Sequence, residues 1–334
     1  MAYSGIQYGD ISQRVGTYAV ANFLASAENQ LILEKFAKVE MVPKNKSTNV
    51  KFRRPVKFDV STTALTEGVT PVPQAFDYED VEVNLAQFGA WVPFTDVIAD
   101  THEDPILKSI TAECGDQAGA TKEMILWNMM KGGTNVIWTG SATSTATVLA
   151  PLDIDDIRSA VRELKANHAM KITKRISASP NIATEPVNAA YIAVGHTNLE
   201  ADIRDITGFV PVEKYSNFQP VSEHEVGKVE DVRFILTPHL EPEFGAGSNT
   251  TTGVLNNGDN VDVYPLVVFG QDAFAATPLK GMESARIAVK NPKMGESYED
   301  PLGQRGFVSW KMWYAAVRLN EAWLVRIESA ASIL

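Results

Sequence analysis

The chain has 334 residues, of which 45% are hydrophobic and 21% charged, and its formal net charge is −11. This composition is typical of a globular protein with a sizeable core, and it excludes low-complexity, collagen-like and compositionally disordered chains. The acidic balance argues against charge-driven binding of nucleic acid over the whole surface. The lone cysteine, Cys114, excludes an intramolecular disulfide and a multi-cysteine metal site, and we expect it to be buried.

The start of the chain carries no targeting signal that we can identify. Residues 1–10 have no basic start and no apolar stretch long enough for a signal peptide. No window approaches 18 uncharged apolar residues, the approximate length that a membrane-spanning helix needs. We therefore expect no membrane span, and we expect synthesis in a cytoplasm.

Charge is distributed unevenly along the chain. Residues 1–60 hold nine Lys/Arg and five Asp/Glu, whereas the remainder holds 21 Lys/Arg against 36 Asp/Glu. The basic residues gather between Lys35 and Lys57. Such a cluster indicates either a solvated face or a docking surface for an acidic neighbour.

The first predicted elements are a helix and a long hairpin. Helical spacing predicts an amphipathic helix over residues 18–39, with Pro43 beyond its end. Alternating apolar residues then predict one strand over residues 56–60 and a second over residues 81–85. The roughly twenty residues between these strands show no regular pattern, which is uncommon inside a compact domain. We therefore predict an arm that is ordered by contact with another surface.

A long helix follows the hairpin. Asp104 and Pro105 are typical of a helix start, and Gly132-Gly133 of a helix end. At about 1.5 Å per residue the helix is about 40 Å long. Its predicted buried face consists of Ile106, Ile110, Cys114, Ala118, Ile125 and Met129.

The second half of the chain mixes helices and strands without regular βαβ repetition, which predicts an α+β fold. Asp153 is expected to cap a second helix, and a third is predicted over residues 198–206. Residues 243–260 are rich in Gly, Thr and Asn, which predicts an exposed mobile loop. The predicted strands cover residues 189–194, 231–236, 261–269, 284–289, 305–319 and 323–328, with a turn at 320–322.

No catalytic pattern rises above background. None of the five histidines pairs with another ligand at a metal-binding spacing. Gly245-Ala-Gly247 lacks the third glycine of a dinucleotide fingerprint, because that position is Thr250. We expect no catalytic, cofactor-binding or metal-binding residues and no enzymatic activity. A small-molecule hydrolase on an α+β scaffold remains a remote alternative.

The C-terminal region carries motifs that resemble a known family. The chain resembles the podovirus-type coat family of tailed-phage major capsid proteins, which use the Hong Kong 97-type fold. The resemblance is moderately specific over about residues 261–330. The residues that carry it are Val268-Phe-Gly-Gln-Asp-Ala-Phe274, Pro278-Leu-Lys-Gly281, Asp300-Pro-Leu-Gly-Gln-Arg-Gly306, Val308-Ser-Trp-Lys311 and Leu324-Val-Arg-Ile-Glu328.

The resemblance implies an organisation for the whole chain. Residues 1–48 would form an N-terminal arm and residues 49–95 an extended β-hairpin loop. Residues 96–149 would belong to a peripheral domain with a spine helix at 105–131. Residues 150–282 would form mainly an axial domain, and residues 283–334 would return as strands of the peripheral domain.

The resemblance also implies a function. The expected role is that of a major capsid protein, which self-assembles as hexamers and pentamers into the icosahedral head around the double-stranded DNA of a tailed bacteriophage. Expected partners are further copies of the chain, a portal, a separate scaffold, a cement or decoration protein and non-specifically packaged DNA, without a membrane. Assembly is expected in the host cytoplasm. The alternative within this fold is an encapsulin-type bacterial nanocompartment shell.

The charges of the hairpin suggest contacts between subunits. Its base is basic and its tip is acidic, with Asp80 among the acidic residues of the tip. We therefore predict that basic groups of one subunit meet acidic groups of another. The basic candidates are Lys51, Arg53, Arg54 and Lys57, and the acidic candidates are Glu67, Asp77 and Glu79.

Overall fold

The computed structural model describes most of residues 31–333, and the statements below refer to these residues. The positions within this range that are not described are 44, 46, 57, 59, 63, 66, 71, 102–105, 178–182, 216–219, 250–252, 259, 281–284 and 293–299.

The described strands are numbered in chain order. They are β1 Lys38–Val39, β2 Asn49–Pro55, β3 Tyr78–Asn84, β4 Ala86–Thr95, β5 Val136–Trp138, β6 Ile172–Ser177, β7 Ala183–Gly195, β8 Phe209–Pro211, β9 Glu225–Val229, β10 Val232–Leu236, β11 Asn256–Asn257, β12 Asn260–Val261, β13 Tyr264–Phe269, β14 Phe274–Ala276, β15 Ala285–Lys290, β16 Arg305–Tyr314, β17 Ala316–Arg318 and β18 Leu324–Ser329.

Fewer residues are helical than extended, and the mixture is α+β as predicted. The described α-helices are α1 Asp96–Thr101, α2 Ile106–Lys131, α3 Ile154–Ala166 and α4 Glu200–Asp205. Short 3-10 turns cover Leu33–Phe36, Thr145–Thr147, Thr197–Leu199, Val212–Lys214 and Glu321–Trp323.

The largest sheet forms the centre of the molecule. Its strand order is β5-β18-β13-β7-β10-β9-β8, and β6 pairs with β7. Strands β7 and β10 are parallel, as are β18 and β5, whereas β13 runs antiparallel to both β7 and β18. Helix α3 covers one face, and the C-terminal part of α2 covers the other. Burial on both faces explains why every residue of β13 is buried.

A second sheet supports the long helix. Its strand order is β15-β16-β4, and β4 pairs with β16 over ten residues from Ala86↔Tyr314 to Thr95↔Arg305. Helix α2 packs on the inner face of this sheet through Ile110, Cys114 and Ala118. The Trp310 Nε1 donates a hydrogen bond of 2.8 Å to Gln117 Oε1 on the helix. The predicted long helix and the predicted burial of Cys114 are therefore confirmed.

The C-terminal end of α2 is fixed by two arginines. Arg318 donates to the carbonyl of Met129 at 3.1 Å, and Arg326 donates to the carbonyl of Lys131. The last carbonyls of a helix lack intrahelical partners and carry partial negative charge, so cations stabilise this end. The predicted buried face differs here, because Ile125 and Met129 are only partly buried. The buried residues of this half are Gly119, Glu123, Leu126, Trp127 and Met130.

Trp127 provides a direct test of this packing. Its side chain is 0% exposed and its Nε1 donates to the carbonyl of Glu241 at 3.1 Å. We expect Trp127→Ala to lower the free energy of unfolding by about 3–5 kcal/mol, because it leaves a large cavity. Denaturant unfolding of the unassembled subunit measures this. The matched control is Trp91→Ala at a side chain that is 65% exposed, where we expect a change within about 0.5 kcal/mol. Equal losses in both variants would contradict the packing.

The predicted helix over residues 18–39 is wrong in its described part. Residues Leu33–Phe36 form a 3-10 turn, and Lys38–Val39 is a strand that pairs in parallel with β14. Ile32 and Leu33 are buried against the end of α2. Tertiary pairing and burial therefore override the helical spacing of the sequence. Residues 18–30 lie outside the described residues.

Two strand boundaries also differ from the prediction. The first strand of the hairpin is Asn49–Pro55 rather than 56–60, because its partners lie at Tyr78–Asn84. The single strand predicted over 305–319 breaks at Ala315, where β16 ends and β17 joins β14 in another sheet. The turn after it and the final strand, β18, are confirmed. Residues 283–334 thus contribute strands to several sheets.

The segment over residues 243–260 is less exposed than predicted. Gly247 donates its N–H to the Val261 carbonyl at 2.9 Å, and Glu243 and Val263 exchange backbone hydrogen bonds. The side chain of Val254 is buried with Val261 and Ala330. Backbone pairing therefore holds much of this segment against the body. The strands predicted around 189–194, 231–236, 261–269 and 284–289 and the α3 helix with its Asp153 cap are confirmed.

Candidate assembly surfaces

The hairpin of β2 and β3 is anchored to the body through its base. The strands are antiparallel, and Asn49 pairs with Asn84 at the base whereas Pro55 pairs with Tyr78 at the far end. Val50 and Val83 contact the small apolar cluster formed by Val42, Leu85 and Ala315. Most side chains beyond this base are exposed. The hairpin is therefore a projecting element with an anchored base.

Ion pairs connect the two strands of the hairpin. Arg53 donates from Nε and Nη2 to both oxygens of Asp80, at 2.7 and 3.0 Å. Arg54 Nε donates to Glu79 Oε2 at 2.7 Å, and Lys51 pairs with Glu82. The hydrogen bond from Arg53 lowers the pKa of the Asp80 carboxyl. Opposite charges directly across an antiparallel pair stabilise its register.

The far end of the hairpin exposes apolar side chains that nothing described in the same chain covers. Leu65, Val69 and Val72 are 78%, 63% and 90% exposed. Gly68, at φ +77, supplies the left-handed residue that the turn at Glu67 and Gly68 requires. We call residues 56–77 the hairpin loop. A concentration of exposed apolar side chains marks a surface that is covered by a partner.

An aromatic cluster lies where the hairpin loop meets the strands. The rings of Phe58 and Phe76 are 5.8 Å apart, and those of Phe76 and Tyr78 are 4.7 Å apart in an edge-to-face arrangement. The Arg53 guanidinium lies 5.3 Å from the Tyr78 ring. These contacts give the start of the hairpin loop a defined shape, although each of the three rings is about half exposed.

The structure brings together some of the predicted contact residues. Arg53, Arg54, Lys51 and Glu79 lie on the paired strands and have partners within the same chain. The division into a basic base and an acidic tip is therefore corrected, because Glu79 and Asp80 face the basic residues.

The remaining predicted contact residues lie outside the paired strands. Glu67 is exposed at the tip, and Asp77 accepts a hydrogen bond from the backbone N–H of Tyr78 at 2.8 Å. Lys57 lies outside the described residues. Contacts of any of these groups with another subunit stay a prediction.

The surface of the described residues has two clefts that the sequence did not indicate. One, of about 790 Å³, lies between the hairpin and the body and is lined by Lys38, Arg53, His168 and Trp323 among others. The other, of about 810 Å³, lies on the outer face of the second sheet beside the exposed Trp91. Gly89 forms part of its floor, where a Cβ would approach the Trp310 carbonyl to 2.6 Å. The alternation of side chains along a strand could have predicted that Trp91 points away from the core. It could not have predicted that Trp91 is exposed.

The described residues contain neither a metal-binding cluster nor a membrane-spanning helix. In these ranges no group of three or more His, Cys, Asp or Glu side chains is placed to hold a metal ion. Among the described helices, none combines the length and hydrophobicity needed to cross a membrane.

Solved structures with a similar fold include several phage capsids. The capsid of Ralstonia phage GP4 aligns with a TM-score of 0.69 at 12% identity over 99% of each chain. The head of Helicobacter pylori bacteriophage KHP40 aligns with a TM-score of 0.62 at 12% identity over 98% of this chain and 99% of that chain. The capsid of cyanophage Pam1 aligns with a TM-score of 0.60 at 12% identity over 99% and 100%. The chain thus has the Hong Kong 97-type capsid fold.

The chain belongs to the phage capsid protein family, whose model matches residues 78–327. A curated relative, the major capsid protein of Pseudomonas phage KPP21, is 23% identical over 228 residues. That match covers 64% of this chain and 57% of the relative, so this chain accounts for little more than half of the relative's length. The resemblance seen in the sequence is confirmed.

Proposed function

We propose that the chain is the major capsid protein of a tailed bacteriophage, and that it self-assembles as hexamers and pentamers into an icosahedral head around double-stranded DNA. The observation that carries this proposal is the projecting hairpin, whose loop exposes apolar side chains while its base is anchored in the body. Membership of the phage capsid protein family supports it. The relatives given above are phage capsids, which favours a genome shell over an encapsulin-type compartment.

The proposed organisation assigns a role to each part of the chain. Residues 1–48 form an arm, 49–95 the extended loop, 96–149 the peripheral domain with its spine helix, 150–282 mainly the axial domain, and 283–334 the returning strands. The position of α2 against the β15-β16-β4 sheet supports the spine assignment. Strand β4 pairs with β16 along its whole length, so residues 86–95 of the proposed loop lie in the second sheet.

The proposed partners follow from the proposed shell. Further copies of the chain come first, and a portal, a separate scaffold and a cement or decoration protein complete the head during assembly in the host cytoplasm. The DNA is enclosed without specific contacts. A surface with a net negative charge repels the phosphate backbone, so the DNA can move during loading. The role is structural and requires no catalytic step.

Electron microscopy of the full chain, expressed alone and with the scaffold encoded beside it, tests this function. We expect closed shells of uniform diameter, and DNA rather than a cargo enzyme inside the particles from infected cells. A cargo enzyme inside would favour the encapsulin-type alternative. Monodisperse monomers under every condition would contradict both.

A further inference from the structure

A buried carboxylate on α2 holds the point at which residues 1–31 connect to the body. Glu123 is 2% exposed. Its carboxylate accepts hydrogen bonds from the backbone N–H of Leu33, at 2.9 and 3.3 Å from its two oxygens, and from that of Ile32. We call residues 32–36 the arm root. Two backbone donors on one carboxylate therefore help to fix the arm root to the long helix.

Charged and titratable groups surround this contact on each side. Glu34 and Lys35 belong to the arm root, Lys122 precedes Glu123 on α2, and Tyr314 lies at the end of β16. Lys122 Nζ is 3.4 Å from Glu34 and 5.5 Å from the Tyr314 ring centroid. The Tyr314 hydroxyl is buried and has no hydrogen-bond partner among the described residues. Lys122 is therefore engaged by Glu34, and Lys35 is the cation whose charge acts on Glu123.

The proton affinity of Glu123 follows from this environment. Burial raises the pKa of the Glu123 carboxyl from its usual 4.5 to about 7, and Glu34 adds to the rise, while the two backbone hydrogen bonds and Lys35 oppose it. A carboxyl that leaves this site for water regains its ordinary pKa. There is therefore a range of pH in which Glu123 binds a proton while the arm root is docked but not after the arm root is released.

We propose that Glu123 is a proton-sensitive anchor, which strengthens the docking of the arm root on α2 when it takes up a proton and weakens it when the proton leaves. The direction follows from the linkage between proton binding and docking, because the docked form binds more protons between pH 4.5 and about 7. Docking is therefore strongest at the acidic end of this range and falls as the pH rises. Above about 7 it is constant, because both forms are then ionised.

The anchor acts on the docking of the arm root itself, residues 32–36, against α2. This property belongs to the single chain and does not depend on shell formation. Its failure would leave the proposed function untouched, and failure to form shells would leave the anchor untouched.

Hydrogen exchange of peptides that cover residues 31–36 tests the anchor in the full-length, unassembled chain. Protection factors, which remove the intrinsic pH dependence of exchange, are compared between pH 5 and 8.5. In the wild type we expect protection at Ile32 and Leu33 to fall by about tenfold for each pH unit between about 5 and 7 and then to level off. Glu123→Gln keeps the acceptor oxygen without the charge, so its protection should be independent of pH.

The control is Glu113→Gln, at an exposed position on the same helix, which should retain the wild-type profile. A Glu123→Gln variant with the wild-type slope would overturn the proposal. If that variant does not fold, the wild-type profile is a sufficient test. A flat wild-type profile, or protection that rises with pH, would refute the anchor.

Discussion

Replacing Leu65, Val69 and Val72 of the hairpin loop with serine is expected to abolish shell assembly while the subunit stays folded. These side chains contact little in their own chain, so their loss should change the free energy of unfolding by no more than about 0.5 kcal/mol each. Against a neighbour, each buried aliphatic side chain contributes about 1.5–3 kcal/mol. The same contact recurs in every subunit of a shell, so the loss is multiplied.

Sedimentation and electron microscopy measure this outcome, and we expect the yield of closed particles to fall by more than about tenfold. The matched control is Thr62→Ser with Thr70→Ser, which alters the same loop without removing aliphatic surface. Wild-type yields from the triple serine variant would show that the hairpin loop is not an assembly contact. A large loss in the threonine control would mean that the loop is sensitive to any change.

Reversing Arg53 and Arg54 to glutamate is expected to impair assembly while leaving the subunit soluble. The reversal places like charges opposite Asp80 and Glu79, which disfavours the hairpin register. It also removes the cations that we predict to meet Glu67 or Asp77 of a neighbouring subunit. Particle yield by sedimentation, together with circular dichroism of the unassembled subunit, measures the effect.

A charge swap separates these two effects. Adding Glu79→Arg and Asp80→Arg to the reversed arginines restores opposite charges within the hairpin but not the cations at positions 53 and 54. If those cations contact a neighbour, the swapped variant should regain a wild-type circular dichroism spectrum and still assemble poorly. Full recovery of assembly would show that the four charges act only within the hairpin. Normal particles from the reversal alone would refute both roles.

The sequence predicted the elements whose stability comes from local signals. The long helix has start and stop residues and a sustained apolar stripe, and α3 has an Asp cap followed by a regular apolar spacing. The final strand β18 alternates between the two faces of the central sheet, which its apolar pattern indicated. Such signals depend on near neighbours in the chain, so they are visible without the fold.

The elements that were mispredicted depend on distant partners. Lys38–Val39 is extended because β14, more than two hundred residues later, supplies a strand edge. The first hairpin strand lies at Asn49–Pro55 because its register with Tyr78–Asn84 places it there. Strand β16 ends at Tyr314 because the following strand, β17, joins a different sheet. The intrinsic propensities of the residues cannot predict where these strands begin and end, because pairing with distant strands sets their limits.

The candidate surfaces were predictable in kind but not in geometry. The long unpatterned loop indicated an arm that is ordered by another surface, but its exposed apolar residues were recognised only in the structure. The pairing of Arg53 with Asp80 within one chain could be predicted only from the register of the hairpin, and the sequence alone does not determine that register. Glu123 was not anticipated at all, because a glutamate amid an apolar stripe indicates an exposed position unless its backbone partners are known.

The most direct test of the central claim is a cryo-electron microscopy reconstruction of particles assembled from the full chain with its scaffold. The account predicts closed icosahedral shells of hexamers and pentamers, with the hairpin loop of each subunit lying on a neighbouring copy and Leu65, Val69 and Val72 in that contact. Particles in which the hairpin loop contacts only its own subunit, or the absence of closed shells under any condition, would contradict it.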